Sequence, residues 1–300
     1  MKIIYVIAVV CMVSSLASCR KYEPYDTDFG ITTSYFSTQK PLRTIVSYDN
    51  MQFKVGVAMG GVRENTKDQT VTFAVDPSLL ITVAGAGSFT LMPSAYYTLS
   101  NSSTITIAKG SFVGDITVTL NRSLFTADVN AVNRYYAIPL RIVSSTTDSV
   151  LRGNATVPAK DYTILVVKYI SAYSGSYYHK GVEERIDASG NVLETKTYSN
   201  ADLSKNQVWT LNTVNANTVT TNGAGVSTTG FLQLSLNGTN VTVAAGNAVV
   251  SSVSGTGTFN STSKQFNLDY SFNIGANKFR VKDTLIQRTP PEQDLRFEEW

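Results

Sequence analysis

The chain has 300 residues, 25 basic and 22 acidic side chains and a single histidine. Hydrophobic residues make up 43% and charged residues only 16%, against about 25% in an average soluble domain, so there is apolar matter for real cores but no basic cluster of the kind nucleic acid needs. Two cysteines and one histidine are too few for a disulfide scaffold or a His/Cys metal centre, and no cofactor is expected.

At the N-terminus Lys2 precedes an apolar run from Ile3 to Val13, about half the roughly 20 residues that a spanning helix needs. It reads as the core of a signal peptide covering residues 1–18. Leu16, Ala17, Ser18 and Cys19 resemble the lipobox of bacterial lipoproteins, which implies cleavage before Cys19 and its acylation. Cys11 lies inside the excised run, so the mature chain keeps only Cys19 and forms no internal disulfide. Several acyl chains would hold the protein on a membrane permanently. Residues 19–30, with Glu23, Asp26, Asp28 and no apolar period, form a tether similar to the acidic tethers of Sus-like glycan-utilisation lipoproteins. That resemblance implies the outer face of the outer membrane.

Beyond the tether the period is two. Met51, Phe53, Val55 and Val57 alternate with polar or small residues, as do Val71, Phe73 and Val75, then Ile105 and Ile107, then Ile116, Val118 and Leu120. Alternation of this kind makes half-buried antiparallel strands. Further strands are expected at 135–143 and 162–169; Pro139 lacks an N–H, so the first of these should be an edge or carry a bulge. Seven or eight short strands up to residue 168 suggest a β-sandwich over 31–168.

From about residue 169 to 300 successive hairpins follow, with turns at 188–191, at Asn237 and Gly238, at 260–264 and at 273–277. Each turn joins neighbours in sequence, as an up-and-down meander requires, and closing the meander into a barrel would remove its edges. The expected fold is all-β throughout.

Three stretches, VTFAVDPSLL, FTLMPSAYYTLSNSSTITIAKGSFVGDITVTL and RYYAIPLRIV, resemble the N-terminal domain of unknown function number 1735, with landmarks at Val71 to Asp76, Leu91 to Tyr97 and Ile138 to Leu140. Tyr173 to Arg288 is similar to the C-terminal domain that often accompanies it. The resemblance implies an immunoglobulin-like sandwich followed by a calycin-like barrel, in a surface lipoprotein of a polysaccharide-utilisation system. It transfers no catalytic residue.

The residues give little sign of catalysis. His179 has no G-x-S-x-G elbow to serve and is expected at the surface or rim. Glu183 and Glu184 are adjacent on a strand and point to opposite faces, while Asp269 and Asp283 read as solvated hairpin charges. Binding fits better, because aromatic rings stack on sugar faces while amides bond the hydroxyls. The ligand-binding candidates are Trp209, Gln207, Tyr177 and Tyr198, with Tyr173, Tyr178, Asn206 and Asn212 nearby; Gln207, Trp209 and Leu211 should share one strand face, exposed if it is a sugar platform. Three functions follow in order: a surface glycan-binding or accessory lipoprotein, a structural lipoprotein docking beside an outer-membrane transporter or other surface lipoproteins, and a glycoside hydrolase.

Overall fold

The computed structural model describes residues 29–293, 295 and 298–300. The signal peptide, Cys19 and nearly all of the tether lie outside the described residues. The chain first forms β1 (Thr33–Phe36), β2 (Pro41–Val46), β3 (Gln52–Gly60), β4 (Gln69–Val75), β5 (Thr90–Leu91), β6 (Tyr97–Leu99), β7 (Thr104–Ile107), β8 (Val113–Leu120), β9 (Tyr136–Ser145), β10 (Ser149–Val150) and β11 (Tyr162–Ile170). The strands beyond the expected number, β5, β6 and β10, are too short to show a period in sequence.

Two sheets face each other, one in the order β10–β1–β3–β8–β6 and the other containing β2–β11–β9–β4–β7. The alternating residues meet between them: Val55, Val57 and Met59 from β3, Val71 and Phe73 from β4, Ile116, Val118 and Leu120 from β8. Not every pair is antiparallel, since β2 runs parallel to β11 and β1 to β10. β9 and β11 are buried on both faces because Leu79, Leu80 and Trp300 cover the far side of their sheet, which explains their continuous apolar runs.

Pro139 does not mark an edge: β9 lies between β11 and β4 in the middle of its sheet. Its missing N–H falls where β4 has just ended, and its carbonyl accepts from Asp76 N at 3.0 Å. The expected bulge exists elsewhere in the same strand, at the register shift opposite Thr72 and Phe73.

The second part begins with β12 (Gly175–Ile186), β13 (Val192–Tyr198), β14 (Gln207–Asn215), β15 (Thr218–Thr220), β16 (Leu232–Asn237), β17 (Asn240–Ala245), β18 (Ser251–Asn260), β19 (Gln265–Ile274) and β20 (Asn277–Gln287). Eight of these close into a barrel, β12–β14–β15–β16–β17–β18–β19–β20, sealed by the pairing of β20 with β12. β13 stands outside the ring, paired to the second half of β12 while β14 takes the first half. The barrel interior is a packed core of Leu232, Leu234, Leu236, Val243, Phe266, Leu268, Phe272, Val281 and Leu285. The fold is thus all-β, a sandwich followed by a barrel.

The two parts are tied together. β11 runs through Ile170 alongside Val46, Ala172 N donates to Ser47 Oγ at 3.0 Å, and Ser171 Oγ donates to Ala216 O at 2.8 Å. The chain end then returns to the sandwich: β21 (Glu298–Glu299) pairs with β2, and Trp300 Nε1 donates to Ile164 O at 2.8 Å with Phe89 against its ring.

Candidate functional site

A concave surface lies on the outside of the barrel, across β18, β19, β20 and β12. Register aligns three rows of outward side chains: Ser254, Ser271, Arg280 and Glu184; Thr256, Asp269, Lys282 and Val182; Thr258, Asn267, Thr284 and Lys180. All of them but Ser254, Ser271 and Lys180 line two adjoining troughs of about 360 and 560 Å³ that share Asp269 and Lys282. The dip has a cause in β18, whose inward positions Gly255 and Gly257 face Tyr270 and Leu268; a Cβ on Gly255 would stand 2.3 Å from the Cβ of Tyr270. The strand therefore lies tight against the interior. The outward charges of the trough lining are paired, Arg280 Nη2 with Glu184 at 2.7 Å and Lys282 with Asp269 at 3.5 Å, with Lys180 outside the lining; the lining is dense in hydroxyl, amide and ionic hydrogen-bonding groups.

A second polar constellation is closed inside the barrel. Alternation on β12 and β20 points His179, Glu183 and Asp283 inward, each at most 4% exposed. The Asp283 carboxylate accepts from Tyr198 Oη and Tyr270 Oη, both at 2.5 Å. His179 Nε2 lies 3.0 Å from the same carboxylate without the alignment of a hydrogen bond, and the imidazole lies flat on Trp209 with ring centres 3.7 Å apart. Burial, reinforced by the charge of Asp283, raises the Tyr198 and Tyr270 phenols far above their usual range. Burial raises Glu183 too, partly countered by the bond it accepts from Val226 N at 3.0 Å.

The loop 221–231 shuts this end of the barrel. Gly225 N donates to Tyr270 Oη at 2.8 Å, next to the Val226 bond to Glu183. Gly225 has φ +54, and a Cβ there would fall 2.0 Å from Glu183 Oε2, so only glycine lets the loop seat.

The fold has a solved counterpart. A crystal structure of a Bacteroides ovatus protein of unknown function, at 2.40 Å resolution, is similar over 89% of this chain and 98% of its own, with a TM-score of 0.76 and 24% identity. A second Bacteroides ovatus protein of unknown function, solved at 1.55 Å, covers 88% of this chain and 95% of its own, with a TM-score of 0.43 and 15% identity. A family model described as "-like, N-terminal domain" matches residues 25–149, most of the sandwich. Comparison with curated proteins gives no match. The first likeness establishes the fold, sandwich and barrel in this order.

The candidate residues named from sequence are divided by this architecture. Trp209 is 1% exposed, and Tyr177 is fully buried against Phe266 with its hydroxyl on Tyr173 O, so neither offers a face to a ligand at the surface. The expected exposed platform at Trp209 is corrected accordingly: Trp209 and Leu211 face the barrel core, while Gln207, at the strand start, is exposed. Tyr198 and Gln207 do come together, lining a groove of about 240 Å³ with Asn200, Lys205 and Asn206. The amide of Asn206 is consumed there by local bonds to Asn200, Asp202 and Leu203. His179 is corrected from rim to interior, and Asp283 from solvated charge to buried acceptor. Glu183 and Glu184 do face opposite ways, one inward and one onto Arg280. The signal for the inner cluster was present in β20, where Asp283 sits between Val281 and Leu285 on the apolar face.

Proposed function

We propose that the protein is an accessory binding lipoprotein at the outer surface of the outer membrane, held by lipid on Cys19, and that it contacts polysaccharide on the outer trough of its barrel without a reaction of its own. The observation that carries this reading is the set of aligned rows on β18, β19, β20 and β12, which presents Thr256, Thr258, Asn267 and Thr284 beside two neutralised ion pairs. Such a trough exchanges water bonds for sugar hydroxyl bonds while its own outward charges stay paired. The acids of the inner cluster are shut under loop 221–231, and their bonds are spent within the protein, which favours binding over hydrolysis.

The test is affinity electrophoresis of the soluble form lacking residues 1–19 through gels containing neutral or uronic-acid polysaccharides. Retardation by at least one of them, lost in the combined variant Asn267→Ala, Lys282→Ala with an unchanged melting temperature, is the expected result. Equal retardation of both proteins, or none in any gel, refutes it. Anchoring is tested separately: Cys19→Ala should accumulate as unlipidated precursor, and normal processing of that variant would remove the anchor from the proposal.

A further inference from the structure

We propose that the protein self-associates through the open edge of β13, which pairs antiparallel with the same strand of a second copy about Thr195. Each strand of the barrel ring has two neighbours, whereas β13 has β12 on one side and, among the described residues, no strand on the other. Val192 to Thr197 are exposed on both faces, and only Tyr198 at the end of the strand reaches inward, to Asp283. An open edge is a row of backbone donors and acceptors that takes up another strand unless something stops it.

The register follows from two constraints. In an antiparallel pair, facing residues direct their backbone groups alike, both toward or both away from each other, and this direction alternates along each strand. Over Glu194 to Tyr198, where β13 is regular, the numbers of facing residues must therefore add to an even total. Three such registers overlap five or more residues of β13. One sets Glu194 against the partner's Glu194, and another sets Lys196 against the partner's Lys196. The third, centred on Thr195, spans the whole strand, keeps Glu194, Thr195 and Lys196 in phase beyond the bulge at Leu193, and brings Glu194 opposite the partner's Lys196, and Lys196 opposite the partner's Glu194.

β12 extends this match. Arg185 lies opposite Glu194 and Glu183 opposite Lys196, so the row across the interface reads Arg185, Glu194, the partner's Lys196, the partner's Glu183, alternating in sign at every step. The charges that reward this register penalise the two slipped ones, and the irregularity at Leu193 limits unrelated strands. A seven-residue edge buries less than the roughly 1,200 Å² of a stable interface, so the dimer is concentration-dependent.

Sedimentation velocity on the soluble form lacking residues 1–19, from micromolar to millimolar protein, tests it. A monomer–dimer equilibrium is expected, weakened about tenfold or more by Lys196→Glu, equivalent to ~1.4 kcal/mol. It should recover in the double variant Glu194→Lys, Lys196→Glu, where opposite charges face each other again. Independently of charge, Thr195→Cys in this otherwise cysteine-free form should give a disulfide dimer under mild oxidation, because the two-fold centre sets those Cα atoms about 4.5–5.5 Å apart. A monomer at all concentrations, a dimer indifferent to Lys196→Glu, no recovery in the swapped variant, or no cross-link at position 195 overturns the proposal.

Discussion

Trp209 is the side chain whose role the structure defines most sharply. It fills the barrel end between the imidazole of His179 and Gly223, whose Cβ, if present, would stand 2.9 Å from the indole. Trp209→Ala should therefore lose about 3–5 kcal/mol in urea unfolding, as large aromatics cut from cores do; a variant of wild-type stability would return Trp209 to the surface. Glu183 makes a prediction in pH. Burial raises its folded pKa above the unfolded value, so its contribution to stability is present at low pH and lost as pH rises through the folded pKa. Glu183→Gln keeps an acceptor for Val226 N but cannot ionise. Its stability relative to wild type should rise as pH is raised above the ordinary glutamate range, read from urea midpoints across that range; a flat or falling difference would show that the carboxylate is stabilising when charged.

At the scale of elements, the barrel end depends on loop 221–231 and the sandwich on its borrowed C-terminal strand. Gly225→Ala combines a left-handed backbone with a clash on Glu183, so the loop should lift while the barrel stays folded. Limited proteolysis should then cut within 221–231 in the variant and not in the wild type. Trp300 covers Leu79 and Ile164 on the outer side of the sandwich and lies under Lys40 at 4.8 Å. Replacing it with Ala should lower stability by about 1–3 kcal/mol through lost burial. Calorimetry that finds no change would mean that the chain end rests on the sandwich without holding it. Most strands were readable as elements because one face is wet and one dry. β9 and β11 showed only their apolar runs, since a strand covered on both faces has no alternation to display.

For the whole molecule, the seam between sandwich and barrel is a set of shared bonds rather than a free linker. A cut at Lys168 removes Tyr169, which is fully buried and donates to Thr126 O at 2.9 Å, together with Ile170 beside Val46. A fragment of residues 29–174 should keep a cooperative thermal transition, whereas 29–168 should melt at a clearly lower temperature. Equal midpoints by circular dichroism would mean that β11 does not need its last two residues.

The sequence by itself determined the class of this protein: period-two alternation bounded by turn residues fixes half-buried strands, and short turns between neighbours in sequence make a meander, for which closure is the way to remove its edges. It also determined that Glu183 and Glu184 separate, because adjacent residues on a strand must. Only the tertiary structure decided which face of β14 is interior, since Gln207, Trp209 and Leu211 share a pattern that suits a core or an exposed plate, and the closure of β20 onto β12 is what placed Trp209 against His179. The same closure carried Asp283 from an apparent surface charge to the acceptor of two phenols, and it left β13 outside the ring. Pairing across a closed sheet joins residues about a hundred positions apart, and no local period in a sequence encodes that distance.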